Sequence, residues 1–143
     1  MQTLKIGGRE IPLLYTTYEL VEIQEAVGCT GYQLKDEVFG IRLQDEDDPN
    51  SVVFDCVGDG KKTKKLGTLI RIIGNAGLEE NGEEPNLTDK WVLRNMKPGL
   101  ILMYALVVYA VINEGNRMEA KHEGNGPVDE GLEEEQAKKQ PGN

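Results

Sequence analysis

The stretch Leu100-Ile-Leu-Met-Tyr-Ala-Leu-Val-Val-Tyr-Ala-Val-Ile112 decides the fold class, because thirteen consecutive residues carry no charge and no small polar side chain. Its length and composition predict a helix from about Pro98 to Asn113, with Pro98 in the first turn, where a missing N–H costs little. A membrane span needs about 18–20 apolar residues, so the run is short for one. A helix apolar on nearly every side is not satisfied by one-face packing. The run therefore predicts either a helix wrapped by the rest of the chain or one that contributes to an oligomer interface.

Upstream, Leu66, Leu69, Ile70 and Ile73 recur at helical spacing and predict a helix over 62–78. Gly67, Gly74 and Gly77 weaken it intrinsically, each by about 1 kcal/mol relative to alanine. Gly67 and Gly74, seven residues apart, suggest close packing against residues 100–112. Thr88 is placed to cap a short helix through Asn95, anchored by Trp91, Val92 and Met96.

The N-terminal segment alternates in steps of two, with Leu4 and Ile6 before Gly7-Gly8 and Ile11 and Leu13 after it. This predicts a β-hairpin whose glycine pair makes the turn, with Pro12 on an edge strand. A helix over 16–28 follows. Thr16 and Glu19 form a capping box, Leu20, Ile23 and Val27 form the apolar stripe, and Gly28 is the stop. Glu19, Glu22 and Glu25 are expected to stay wet. Thr30–Val38 suggests a second short helix capped by Thr30 with Gln33 as its reciprocal partner, burying Leu34 and Val38. Val52–Val57 is read as a short strand or an apolar flap beyond an acidic loop. The fold class is thus mainly α: a small helical domain, 1–121, with an N-terminal β-hairpin and an additional short strand. Residues 122–143 are expected to form an acidic disordered tail.

The chain has 143 residues and a net charge of -9, divided as -8 over residues 1–60, +3 over 61–121 and -4 over 122–143. Such a balance is repelled by phosphate backbones and argues against nucleic acid as a partner. The basic cluster Lys61, Lys62, Lys64 and Lys65 lacks interleaved aromatics and reads as a solvated helix start, compensated by the Asp45–Asp48 loop or by an acidic partner segment. The two cysteines, Cys29 and Cys56, are expected to be inert reduced thiols.

The sequence offers little chemistry. His122 is the single histidine and Ser51 the single serine. Asp45, Asp47 and Asn50 lack the glycine and terminal glutamate of a calcium loop. Gly58, Gly60 and Lys61 lack the spacing of a phosphate loop. No catalytic residue, metal ligand or cofactor is assigned, and a non-enzymatic role in the cytoplasm is expected.

The order of elements then becomes informative. A hairpin leads into the aromatic-led acidic helix YTTYELVEIQEAVG at 15–28, and a later helix runs into LIRIIGNAGLEENGEEPNLTDKWVLRNMKPG at 69–99. This resembles the small tail assembly chaperones of long-tailed bacteriophages and prophages, over about residues 3–115 and most strongly over 69–99. The resemblance implies a chaperone that binds the long helical tape-measure protein in the host cytoplasm and is absent from the mature virion. It also implies a longer frameshifted form of the same chain as a partner. A membrane partner is not expected. The face proposed for the client uses Trp91, Tyr104, Tyr109, Leu20, Ile23, Leu69 and Ile73. The alternatives are a structural tail or head–tail connector protein and a host regulatory protein-binding domain.

Overall fold

The computed structural model describes residues 1–29 and 33–121, with side chains through Asn116. The expected Thr30 cap and the 122–143 tail lie outside the described residues. The chain divides into two units, Met1–Val111 and the segment from Ile112 onward. The described part of the second is the end of the last helix.

Strands β1 (Thr3–Ile6) and β2 (Arg9–Pro12) form the expected antiparallel hairpin, with Ile6 opposite Arg9 and Leu4 opposite Ile11. Gly7 and Gly8 both take positive φ, 59° and 76°, as a two-residue turn matching strand twist requires. The alternation buries Leu4, Ile6, Ile11 and Leu13.

Helix α1 (Thr17–Val27) starts at the capping box and stops at Gly28, whose φ of 84° suits only glycine without strain. The Thr16 N–H donates to the Glu19 carboxylate at 2.8 Å. Glu19 is consequently buried, contrary to the expectation of a wet face: the cap draws its side chain back along the helix, and that geometry overrides the bare 3.6-residue pattern. Glu22 is half-buried, and Glu25 is exposed. Beyond the cap, Leu34 and Val38 are buried as expected, but the backbone widens into a π-helical turn, Lys35–Phe39, before Gly40. The patch at 52–57 supplies a second hairpin, β3 (Ile41–Leu43) with β4 (Val52–Phe54), in which Ile41 faces Phe54. Ser51 holds the acidic loop by donating to the carbonyls of Asp45 and Asp48 at 2.9 and 2.7 Å.

Helix α2 (Gly60–Glu80) is the central element, packing against α1, β2, the π-helical turn and α3 (Asp89–Asn95). Leu66, Leu69, Ile70, Ile73 and Leu78 are completely buried. The glycines make this wrapping feasible, but not through contact with residues 100–112. A Cβ at Gly67 would lie 2.7 Å from Leu93 Cδ2, and one at Gly74 the same distance from Leu87 Cδ1. At Gly77 it would overlap the Pro12 carbonyl group. The close neighbours are therefore α3, the chain leading into it, and β2. There the Leu14 N–H donates to the Ile73 carbonyl at 3.0 Å.

The basic start of α2 is compensated by its own N-cap and by the π-helical turn rather than by the Asp45–Asp48 loop. Asp59 accepts from the backbone N–H groups of Lys61 and Lys62 at 2.9 and 3.2 Å, and Lys65 lies 3.8 Å from Glu37. The Lys62 N–H, with that of Lys61, holds the Asp59 carboxyl below its ordinary range. A carboxyl whose folded pKa is depressed stabilises the fold above its unfolded pKa, and the benefit is lost as pH falls through the folded value. Carboxyl-resolved NMR should accordingly place the Asp59 midpoint below the ordinary aspartate value of about 3.9. Hydrogen exchange at Lys61 and Lys62 should accelerate as that midpoint is crossed, and a midpoint at the ordinary value would remove the cap.

Between α2 and α3 the chain reverses through exposed residues 81–86. Asn75 clamps its return: its Nδ2 donates to the Leu87 carbonyl at 3.1 Å and its Oδ1 accepts the Leu87 N–H at 2.9 Å. Thr88 caps α3 by accepting the Trp91 N–H at 3.0 Å. Asp89 joins the helices, accepting from Thr68 at 2.9 Å and pairing with Arg71.

Helix α4 (Ile101–Lys121) follows a 3-10 turn at Pro98–Leu100. It is not wrapped. Within it Tyr104, Ala105 and Val108 are buried, whereas Leu102, Met103 and Leu106 are exposed at 40–47%. The segment Pro98–Asn116, 19 residues, is by length and composition long enough to cross a membrane, so the uncharged run alone understates the helix; 22% of that window is buried.

Candidate functional site

At 100° per residue, α4 separates cleanly into two sides. Tyr104, Ala105 and Val108 fall on one, and Leu102, Met103, Leu106 and Ala110 on the other. The inner side is fastened by aromatic edges. Tyr109 sits 5.3 Å from the Phe39 ring and 5.9 Å from the Phe54 ring, both edge-on, the geometry that ring quadrupoles favour. The Tyr104 hydroxyl accepts the Lys97 N–H at 3.3 Å, which ties the start of the helix to the chain before it.

The outer side is what the fold leaves unsatisfied. Leu102, Met103 and Leu106 lie on consecutive turns, with Leu100 exposed just before them and Ala110 just after. No charged residue occurs between Lys97 and Glu114. A contiguous apolar strip on an otherwise highly charged chain is the kind of surface that marks a docking site.

The seven residues expected to form a client face do not come together. Ile23, Leu69, Ile73 and Tyr104 are at most 1% exposed and belong to the core, so they present no surface to a partner. Leu20 is half-buried on α1. Tyr109 is half-buried within the aromatic cluster, and Trp91 is half-buried with the Arg9 guanidinium 5.8 Å from its ring centroid. Of the two α4 tyrosines, Tyr104 is held by its hydroxyl and Tyr109 by its ring, which packs on Phe39 and Phe54. The exposure of Leu102, Met103 and Leu106 was not read from the sequence although the signal was present. The wheel of the same apolar run divides into two sides, and only one side fits the space the core provides.

A concavity of about 190 Å³ opens between α1 and α2 and is lined by Tyr18, Glu19, Glu22, Arg71, Asn75 and Glu79, together with Ile72 and Ala76. Its strongest polar groups serve the fold: Glu19 the capping box, Arg71 the pair with Asp89, and Asn75 the Leu87 clamp. Burial pushes the Cys56 and Cys29 thiols up, which disfavours the nucleophilic thiolate. In the acidic loop, Asp45 accepts the Asp47 N–H and Asp48 the Asn50 N–H, so these carboxylates close turns. Among the described residues, no group of three or more His, Cys, Asp or Glu is arranged to hold a metal ion.

Set beside models of protein families, characterised proteins and solved structures, the chain matches none of them.

Proposed function

We propose that this protein is a non-catalytic chaperone that binds the tape-measure protein of a long-tailed phage or prophage, and that the outer face of α4 is where the client docks. The observation that carries the reading is the exposed, uncharged Leu102–Met103–Leu106 strip on a helix already anchored by its other side. A client helix with apolar residues spaced three and four apart would lay them along this strip, as amphipathic helices do on apolar receptor surfaces. The phrase at 69–99 supports the family assignment, and in the fold that phrase builds the platform of α2 and α3. Acidic residues elsewhere would keep the chaperone soluble and favour basic client segments.

Co-expression with the cognate tape-measure chain should raise the client's soluble yield and give a complex by size exclusion. Leu106→Glu should weaken that complex at least tenfold, about 1.4 kcal/mol or more, while leaving the melting temperature near that of wild type. A folded wild-type protein that neither binds nor solubilises its client would defeat the assignment. Recovery at fixed copy number from finished particles would select a structural tail or connector protein instead.

A further inference from the structure

We propose that the concavity between α1 and α2 is an arginine-recognition site: it takes the guanidinium of an arginine side chain presented by a protein partner. This site does not rest on the tape-measure reading and uses none of the α4 strip.

Size is the first argument. The concavity holds about 190 Å³. That is below the roughly 300–1,000 Å³ of sites that enclose a small molecule, and it gives room for one long side chain. Tyr18, 71% exposed, offers an open aromatic ring. Ile72 and Ala76 add apolar lining along which the methylenes of an arginine stem can lie.

Charge is the second. Three carboxylates line the concavity, Glu19 and Glu22 from α1 and Glu79 from α2. The one cation in the lining, Arg71, is paired with Asp89, so its charge is already answered. Among the described residues, neither Glu22 nor Glu79 forms an ion pair. Glu19 and Glu22 sit one turn apart, a spacing at which like charges disfavour a helix.

Glu19 adds an observation that does not depend on counting charges. It is 6% exposed, and its Oε1 accepts both capping-box bonds, from the Thr16 N–H at 2.8 Å and from the Thr16 hydroxyl. No described residue donates a hydrogen bond to its Oε2. A carboxylate oxygen taken so far out of water is ordinarily matched by a donor. The concavity that Glu19 lines is the route by which one can reach it.

A guanidinium suits these walls better than an ammonium. Its five N–H groups spread in a plane and can reach carboxylates on two helices at once, whereas an ammonium acts as a point charge. The same plane can stack on the Tyr18 ring. The net charge of -9 adds long-range attraction for a basic segment.

Titration of the full chain with a capped peptide of one arginine flanked by alanines, followed by NMR, tests the site. The amide signals of Tyr18, Glu22, Asn75 and Glu79 should shift and saturate, with a dissociation constant of about 1–10 mM for a single side-chain contact. Glu22→Gln and Glu79→Gln should each weaken binding about threefold, and together about tenfold. Their melting temperatures should stay at or above that of wild type, because neither carboxylate pairs within the fold. Tyr18→Ala should weaken binding about two- to fivefold. The matching lysine peptide should bind about threefold more weakly than the arginine peptide. Free arginine should bind no better than the capped peptide, because its own carboxylate is repelled. Shifts that do not saturate by about 50 mM would overturn the proposal, as would shifts unchanged in the doubly substituted protein. So would equal binding of the lysine peptide, or tighter binding of free arginine than of the peptide. Saturable binding by a protein that forms no tape-measure complex would leave this site standing and remove only the client reading.

Discussion

Gly77→Ala should destabilise the protein by about 3 kcal/mol, although alanine is the better helix former by about 1 kcal/mol. The sign is the test. Gly77 lies inside α2, where the Pro12–Leu13 backbone runs directly over it, and a methyl group there would overlap the Pro12 carbonyl. That obstacle is backbone held by the Leu14–Ile73 hydrogen bond, so relief requires moving the hairpin off the helix. Gly67→Ala is the matched comparison: its methyl would meet the end of the Leu93 side chain, which can rotate away, and the loss should be smaller. Urea titrations of the two variants, read by circular dichroism, decide the matter. A Gly77→Ala protein as stable as wild type would mean that β2 does not rest on α2.

Tyr104→Ala should cost about 3–5 kcal/mol of folding stability, the usual range for emptying a large buried aromatic site. Tyr104 is 1% exposed, and its hydroxyl accepts the Lys97 N–H at 3.3 Å, so truncation leaves both a cavity and an unmatched donor. Leu106→Ala, two positions further on but 47% exposed, should cost less than about 1 kcal/mol. Denaturant midpoints for the pair, measured beside client binding, separate the two sides of α4: the tyrosine variant should lose the fold, the leucine variant the partner. Equal losses of stability in both would mean that the helix is buried all round.

Local signals in the sequence were legible wherever one chemical rule governed the outcome. Gly7-Gly8 between alternating strands, Thr16 with Glu19, Gly28 and Thr88 each determine a turn or cap within a few residues, and all are found in the structure. The choice of central helix was not legible in the same way. Apolar density pointed to residues 100–112, yet α2, with Gly67, Gly74 and Gly77 in its interior and a basic start, occupies the centre. Helix propensity counts those glycines as a cost, but close approach by β2 and α3 requires them. What matters is the thickness of the helix at each contact, a property of the pair of surfaces rather than of either sequence. The second hairpin escaped for a similar reason, because Ile41–Leu43 is too short to show a period before its partner Val52–Phe54 is beside it.

The exposed apolar face of α4 did not emerge from the sequence because burial and exposure use the same residue types on this helix. Leucine, methionine, valine and tyrosine occur on both sides, so composition cannot assign them. The aromatic cluster of Phe39, Phe54 and Tyr109 determines which side turns inward, and it is assembled from segments far apart in the chain.

The clamp between Asn75 and Leu87 bears on descent. A side-chain amide there stands in for a neighbouring strand, offering one donor and one acceptor to a single residue twelve positions later. Aspartate would turn the donor into a second acceptor facing a carbonyl, and leucine would leave both backbone groups unanswered. Drift in the apolar positions can be absorbed by repacking, but this two-way exchange has almost no substitutes. A distant cousin too altered to align along its length would still be expected to carry a carboxamide on its central helix and a chain reversal before the next.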